Sequence, residues 1–188
     1  MRSLKNGRSM EKNNFDLVFS HILDREGTQF TDIPEDRGGP TKFGITQSSL
    51  SDYLGHSASK EEVKNMTQFT AKEIYRKNYW NIIRGDEIIH PIFSICFMDQ
   101  AVNRGPASAT RQIQRQLGVD PDGKVGPKTL KAINAQDDKQ ISLKFICDTQ
   151  NRYCDICVND KSQIKFLNGW INRTQILFEK LTGLKGAY

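Results

Sequence analysis

The sequence predicts a mostly α-helical protein with one small β-hairpin beside a cleft. Apolar side chains recur at helical spacing in residues 15–25, which indicates an amphipathic helix. Residues 92–102 form the most apolar stretch of the chain, as expected of a central buried helix. In residues 38–46 threonine, phenylalanine and isoleucine alternate with glycines, a pattern typical of a short hairpin. The chain has 188 residues, 37% of them hydrophobic, which suffices for one compact domain or two small ones.

The helix boundaries follow from capping residues and helix breakers. The first helix takes Asn13 or Asn14 as its N-cap and ends at Gly27, because glycine readily adopts the left-handed conformation. Thr70 and Glu73 have the form of a capping box, so we expect another helix to begin there. Further helices are predicted over residues 46–55, 92–102, 107–117 and 141–158 and from residue 127 onward. A helical turn is expected over residues 60–65, and residues 166–173 belong to the last helix.

Glu26 is the first candidate for chemistry. It follows Ile22 by four residues and Phe19 by seven, so it continues the apolar face of the first helix, at the negative end of the helix dipole. A salt bridge to a nearby Arg or Lys is the simplest explanation of such a carboxyl group. The alternative is a catalytic group, because Asp36 and Thr41 follow in a glycine-rich run. A carboxylic acid, a carboxylate and a hydroxyl beside a cleft could protonate a glycosidic oxygen and direct a water molecule.

These residues resemble glycoside hydrolase family 108, the N-acetylmuramidases found among phage endolysins and bacterial lysozyme-like proteins. The resemblance is carried by E-G at residues 26–27 and by D-x-G-G-x-T-x-x-G-I-T at residues 36–46. It implies a lysozyme-like helical domain with a small β-hairpin at the active-site cleft. It also implies that Glu26 is the catalytic acid and that Asp36 and Thr41 lie on the opposite side of the scissile bond.

The substrate-binding residues are predicted from the same resemblance. Gly38 and Gly39 allow the backbone to approach a ligand closely. A segment ending at Trp80 resembles the family's Ile-Tyr-x-x-x-Tyr-Trp, which lines the glycan cleft, so Tyr79 and Trp80 are candidates for stacking on sugar rings. Core packing is the alternative for at least one of these aromatic residues. Asn103, in a further segment that resembles the family, completes the predicted substrate-binding set.

The second half of the chain resembles the peptidoglycan-binding half that accompanies the catalytic segment of family 108. Residues 106–133 suggest a helix, a glycine-rich turn and a helix, and both wall binding and a purely scaffolding role stay open. Asp99 is interpreted as structural, and Trp170 and Arg173 as residues that fasten the last helix to the domain. We expect a mobile segment over residues 1–12, a catalytic lobe over 13–91, and a helical peptidoglycan-binding-like lobe over 92–188 packed on it.

The predicted activity is hydrolysis of the β-1,4 bond between N-acetylmuramic acid and N-acetylglucosamine in the glycan strand of peptidoglycan, with inversion. We expect no metal and no cofactor, because the chemistry is proton transfer and charge stabilisation. A lytic transglycosylase, which shares the single catalytic Glu, is one alternative. The other is a non-catalytic peptidoglycan-binding protein. It is suggested by Thr28 and Gln29, where the family usually has glycine and an aromatic residue.

Charge and hydropathy indicate where such a protein would act. The formal charge is +5 and the pI is near 9.0, but the basic residues are scattered, which favours an anionic wall polymer over nucleic acid. No segment has the length and apolarity of a signal peptide core or a membrane span. We therefore expect a monomer made in the cytoplasm without a signal peptide and without membrane insertion, which reaches the wall through a holin or an export system.

The four cysteines, Cys96, Cys147, Cys154 and Cys157, show no zinc-like spacing with the histidines. We expect free thiols in the core, because free cysteine behaves as a small buried hydrophobic residue. A disulfide formed after export, for example between Cys154 and Cys157, stays open.

Overall fold

The computed structural model describes residues 14–32 and 39–183. Within these ranges the chain is mostly helical with one two-stranded antiparallel sheet, which confirms the predicted secondary-structure class. The strands are β1 (Thr41–Lys42) and β2 (Ile45–Thr46). The helices are α1 (Asn14–Glu26), α2 (Gln47–Leu54), α3 (Lys60–Asn65), α4 (Gln68–Tyr75), α5 (Pro91–Arg104), α6 (Pro106–Gln116), α7 (Pro127–Asn134), α8 (Asp138–Asn159) and α9 (Ile164–Thr182). None of these described helices combines the length and apolarity needed to cross a membrane.

Most helix ends lie within a few residues of the predicted ones. Helix α1 begins at Asn14 and is ended by Gly27, whose φ of +78° is the left-handed conformation that glycine was expected to supply. Asn13 and the predicted mobile segment 1–12 lie outside the described residues. The predicted helix start at Thr70 is wrong, because the Thr67 hydroxyl already accepts a hydrogen bond from the Thr70 amide at 3.1 Å and so caps α4 earlier.

Helix α5 is the centre of the structure, as its apolar sequence predicted. It packs against α1, α6, α8 and α9. Phe93 and Phe97 on α5 stack with ring centroids 5.4 Å apart, and Phe145 of α8 meets both rings edge-on at 5.5 and 6.0 Å. Because the first helix and the last two helices all contact α5, side chains from distant parts of the sequence meet along it.

All four cysteines are free in the described structure. Cys96 and Cys157 are buried, as expected of core thiols. Cys147 and Cys154 are exposed, so the prediction of a core position is wrong for them. They lie on the solvent side of α8, which a loose helical count could not separate from its buried side.

Candidate active site

Glu26 is the last residue of α1, where its side chain is 26% exposed. Its Oε1 accepts a hydrogen bond from Nη2 of Arg173, on α9, over 3.2 Å. The ion pair considered from the sequence is therefore present, although its partner is 147 residues away. Within the described residues no hydrogen bond reaches Oε2, so Arg173 holds one of the two carboxyl oxygens.

A buried carboxylate lies behind this pair. Asp99 of α5 has no exposed surface, and its Oδ2 accepts from Nε of Arg173 at 2.8 Å. Its Oδ1 lies 3.2 Å from Nε2 of the equally buried His21 of α1. Burial favours the neutral acid, but the hydrogen bond with His21 and the charge of Arg173 outweigh it and hold the pKa of Asp99 below its usual range. The guanidinium thus bridges a buried carboxylate and the half-buried carboxyl of Glu26.

The hairpin packs its turn directly against Glu26. Phe43 and Gly44 both have positive φ, at 55° and 72°, as a two-residue type I′ turn requires. A Cβ on Gly44 would lie 2.7 Å from Cβ of Glu26 and 2.7 Å from the hydroxyl of Tyr75, so only glycine fits there. Tyr75 of α4 donates to the Phe43 carbonyl oxygen at 2.9 Å, which fixes the turn. The turn backbone at Gly44 therefore lies against the Glu26 side chain, whereas close approach of Gly38 and Gly39 to a ligand stays a prediction.

Thr41 is the first residue of strand β1 in the same hairpin. Its backbone pairs with Thr46 across the hairpin and with Thr31 on the other side, with two 2.8 Å hydrogen bonds to Thr31. Its hydroxyl donates to the Gly39 carbonyl oxygen at 2.9 Å, which leaves the oxygen lone pairs able to accept from a water molecule. The predicted catalytic Asp36 and the predicted glycan contact Gly38 lie outside the described residues.

The two predicted sugar-stacking residues have different environments. Tyr79 is half-buried beside Tyr75, at 5.7 Å between ring centroids, and burial followed by the charge of Glu26 raises the pKa of Tyr79. Trp80 is fully buried against Phe15, and its Nε1 donates to Asp86 at 2.8 Å. A sugar-stacking role for Trp80 is therefore wrong, because no face of its ring is open to a ligand.

The remaining predictions concern Asn103 and metal binding. Asn103 is exposed in the last turn of α5, four residues beyond Asp99 and so on the same side of the helix. Among the described residues no cluster of histidine, cysteine or carboxylate side chains is arranged to hold a metal ion.

The sequence did not indicate the contact between Arg173 and Glu26, or the role of His21. Arg173 lies in a Gly-Trp-x-x-Arg segment that was interpreted as a fastening for the last helix. For Asp99 the sequence held one indication of a paired role. It is a charged residue in a mostly apolar helix, and buried charges are nearly always paired.

Comparison with known proteins identifies the family. The profile described as glycosyl hydrolase 108 matches residues 19–105, and the one described as a predicted peptidoglycan domain matches residues 108–175. The chain is 32% identical to SagA of Brucella abortus, whose solved structure aligns with a TM-score of 0.75 over 92% of this chain and 95% of SagA. The chain belongs to the glycosyl hydrolase 108 family. Comparison with curated proteins gives no significant match.

Family membership confirms several predictions. This glycosyl hydrolase 108 protein has the lysozyme-like, mostly α-helical fold, and a peptidoglycan domain follows its catalytic segment. It is a glycoside hydrolase that acts on peptidoglycan. The two matched regions meet between residues 105 and 108, whereas the lobe boundary predicted between residues 91 and 92 stays a prediction.

Proposed function

We propose that this glycosyl hydrolase is an N-acetylmuramidase that cleaves the β-1,4 bond between N-acetylmuramic acid and N-acetylglucosamine. Glu26 donates a proton to the leaving oxygen. Asp36 stabilises positive charge on the sugar or activates water, and Thr41 orients that water. The observation that carries the proposal is the position of Glu26 at the end of α1, where its side chain is 26% exposed, Arg173 holds Oε1 and no described residue bonds to Oε2.

The surroundings of Glu26 suit a group that cycles between acid and carboxylate. Arg173 fixes Oε1, so Oε2 is the oxygen that carries the proton toward the substrate. When Glu26 has given up its proton, the guanidinium 3.2 Å away stabilises the new carboxylate. Asp99 accepts a hydrogen bond from the same guanidinium at 2.8 Å, so two carboxyl groups share Arg173. We infer that Asp99 weakens the attraction between Arg173 and Glu26, because the guanidinium has two negatively charged partners and not Glu26 alone.

We propose inversion, in a single displacement by water. This outcome requires carboxyl groups roughly 6.5–9.5 Å apart, whereas about 5 Å would favour retention through a covalent intermediate. The order Glu26, Asp36, Thr41, which resembles phage-type lysozymes, supports inversion. Early-time NMR of the released reducing ends tests it, because inversion at a β-linkage gives the α-anomer first and retention gives the β-anomer.

Turbidity loss of purified sacculi tests the activity and its acid together. Glu26→Gln keeps the size of the side chain but removes the proton, so we expect clearing to slow by about a hundredfold or more. Glu61→Gln, at an exposed carboxylate on α3, is the matched control and should clear like wild type. Equal clearing by wild type and Glu26→Gln would remove Glu26 from the mechanism.

Product masses and sacculus binding separate the alternatives. A lytic transglycosylase releases anhydro-muropeptides that are lighter by one water than the products of hydrolysis. A protein that binds sacculi but releases no soluble muropeptides would be a non-catalytic wall-binding protein. Either result would contradict the muramidase proposal.

A further inference from the structure

A second cleft lies between α6 and α8, in the half of the chain that matches the peptidoglycan domain. Its volume is about 480 Å³, and its walls come from the end of α5 and from one side of each of α6 and α8. Four of its lining residues are cationic and two are carboxylates: Arg104, Arg115, Lys144 and Arg152, and Asp148 and Asp155. The cleft thus has an excess of two positive charges.

The cations of this cleft form no direct ion pairs within the described structure. None of the four forms an ion pair with a described carboxylate, although Asp148 and Asp155 line the same cleft. Burial, together with the charges of Arg152 and Arg115, lowers the pKa of Arg104 to about 10. Unpaired like charges around one cavity repel each other, and a bound anion would relieve that repulsion.

Arg104 is held in place by neutral groups. Its guanidinium donates to Oε1 of Gln100 at 2.9 Å, to the carbonyl oxygen of Ser108 at 3.0 Å and to Oε1 of Gln112. Gln112 is itself buried and donates to the carbonyl oxygen of Phe145 at 2.8 Å. These bonds occupy Nε, Nη1 and one N–H of Nη2, so Arg104 contributes a fixed positive charge to this wall of the cleft and keeps one N–H for a ligand.

We propose that this cleft binds the stem peptide of peptidoglycan through a free carboxylate. The proposal rests on peptidoglycan as the substrate and deepens the proposed function, but it does not require glycan cleavage by Glu26. In the glycan strand the muramic carboxyl group is consumed by the amide bond to the stem, so free carboxylates belong to the peptide. Arg115 and Arg152 also line the cleft, and the planar fork of an arginine matches a carboxylate with two parallel hydrogen bonds.

The two carboxylates in the cleft favour a peptide over a polyanion. Asp148 and Asp155 can accept from the amino and amide N–H groups that a stem peptide carries beside its carboxylates. A phosphate polymer or a nucleic acid offers no cation to match them and would be repelled by them. The mixed charges of the cleft therefore suit a zwitterionic ligand.

Titration with a sugar-free stem tetrapeptide, followed by calorimetry, tests the site without any hydrolysis. The variant Arg115→Gln/Arg152→Gln removes two exposed cations, and we expect it to weaken peptide binding by about tenfold or more. Lys128→Gln/Lys131→Gln removes two exposed cations from α7, outside the cleft, and should bind like wild type. Circular dichroism checks that both variants are folded.

Two further ligands separate the possible sources of the anion. A tetrapeptide with amidated carboxyl groups should bind about tenfold or more weakly than the free acid, because the charge-assisted hydrogen bonds are lost. Inorganic phosphate should compete weakly; competition as strong as that of the peptide would make this a general anion site and overturn the proposal. Failure of the wild-type enzyme to bind the peptide, or equal binding by the two double variants, would also overturn it. Because the peptide holds no glycosidic bond, these results are independent of whether Glu26→Gln abolishes clearing.

Discussion

Replacement of Asp99 tests the charge network behind Glu26. The carboxylate is fully buried and interacts with three groups: Nε2 of His21 at 3.2 Å, Nε of Arg173 at 2.8 Å and Nε2 of Gln100 at 3.2 Å. Removal of one partner of a buried pair leaves the other charge uncompensated and typically costs about 3–5 kcal/mol. We expect a loss of that size for Asp99→Ala.

Asp99→Asn should cost less, for a reason found in the structure. The amide oxygen can face Arg173 and Gln100, while its NH₂ group donates to Nε2 of His21 in the other ring tautomer. Nδ1 of His21 has no hydrogen-bond partner among the described residues, so the change of tautomer breaks no other bond there. The negative charge that assists the bonds with Arg173, His21 and Gln100 is then lost, about 2–3 kcal/mol in all if neutral hydrogen bonds replace charged ones.

The loss should depend on pH with a defined sign. The pKa of Asp99 is lowered in the folded state, so its charge stabilises the fold above the unfolded pKa of about 4. That stabilisation is lost as the pH falls through the lower, folded-state pKa. The difference in unfolding free energy between wild type and Asp99→Asn should therefore shrink as the pH falls through the folded-state pKa of Asp99.

Urea denaturation, followed by far-UV circular dichroism, measures these free energies. Asp24→Asn is the control, since Asp24 is 70% exposed and its contact with Lys180 is 3.9 Å long, and we expect a change within about 0.5 kcal/mol. Equal losses for Asp99→Asn and Asp99→Ala would refute the tautomer exchange. A loss for Asp99→Asn no larger than that of the control would refute the importance of its charge.

Two further predictions concern the hairpin and the buried tryptophan. Gly44→Ala should destabilise the fold by about 3 kcal/mol and slow clearing of sacculi, because its methyl group would collide with Glu26 in a left-handed backbone. Gly55 has a similar φ but open space around it, so Gly55→Ala should lose only the backbone cost of about 1 kcal/mol in thermal denaturation. Equal losses of stability for Gly44→Ala and Gly55→Ala would show that the contact with Glu26 is unimportant. Trp80→Phe should cost about 2 kcal/mol through lost packing and the lost bond to Asp86, with KM for sacculi unchanged within about twofold. A large rise in KM at unchanged stability would restore a sugar-binding role.

The sequence was informative where a local pattern has one physical solution. The periodic apolar residues gave α1, and Gly27 marked its end, because few other residues accept the left-handed conformation there. The alternation around Gly44 gave the hairpin, and residues 92–102 gave the central helix α5. The resemblance of residues 26–46 to family 108 indicated the family that the comparisons then showed.

Trp80 lies in a π-helical turn, a local irregularity that the periodicity of a regular α-helix does not predict. After α4 the chain makes a π-helical turn, in which the amide of Asn81 bonds to the carbonyl oxygen of Arg76 five residues earlier. Such a turn inserts an extra residue and rotates the following side chains relative to a 3.6-residue count. The family resemblance left core packing open for at least one of Tyr79 and Trp80, and a regular helical count does not give the side that Trp80 takes after this turn.

The sequence by itself determined the helices, the hairpin, the family and Glu26 as the candidate acid, since each is written in neighbouring residues. Only the tertiary structure decided what surrounds that acid. Arg173 reaches both Glu26 and Asp99 because α1 and α9 both pack on α5, and a contact across 147 residues leaves no trace in local spacing. The physical reason is that burial forces charges to find partners, whereas the fold decides which partners are within reach.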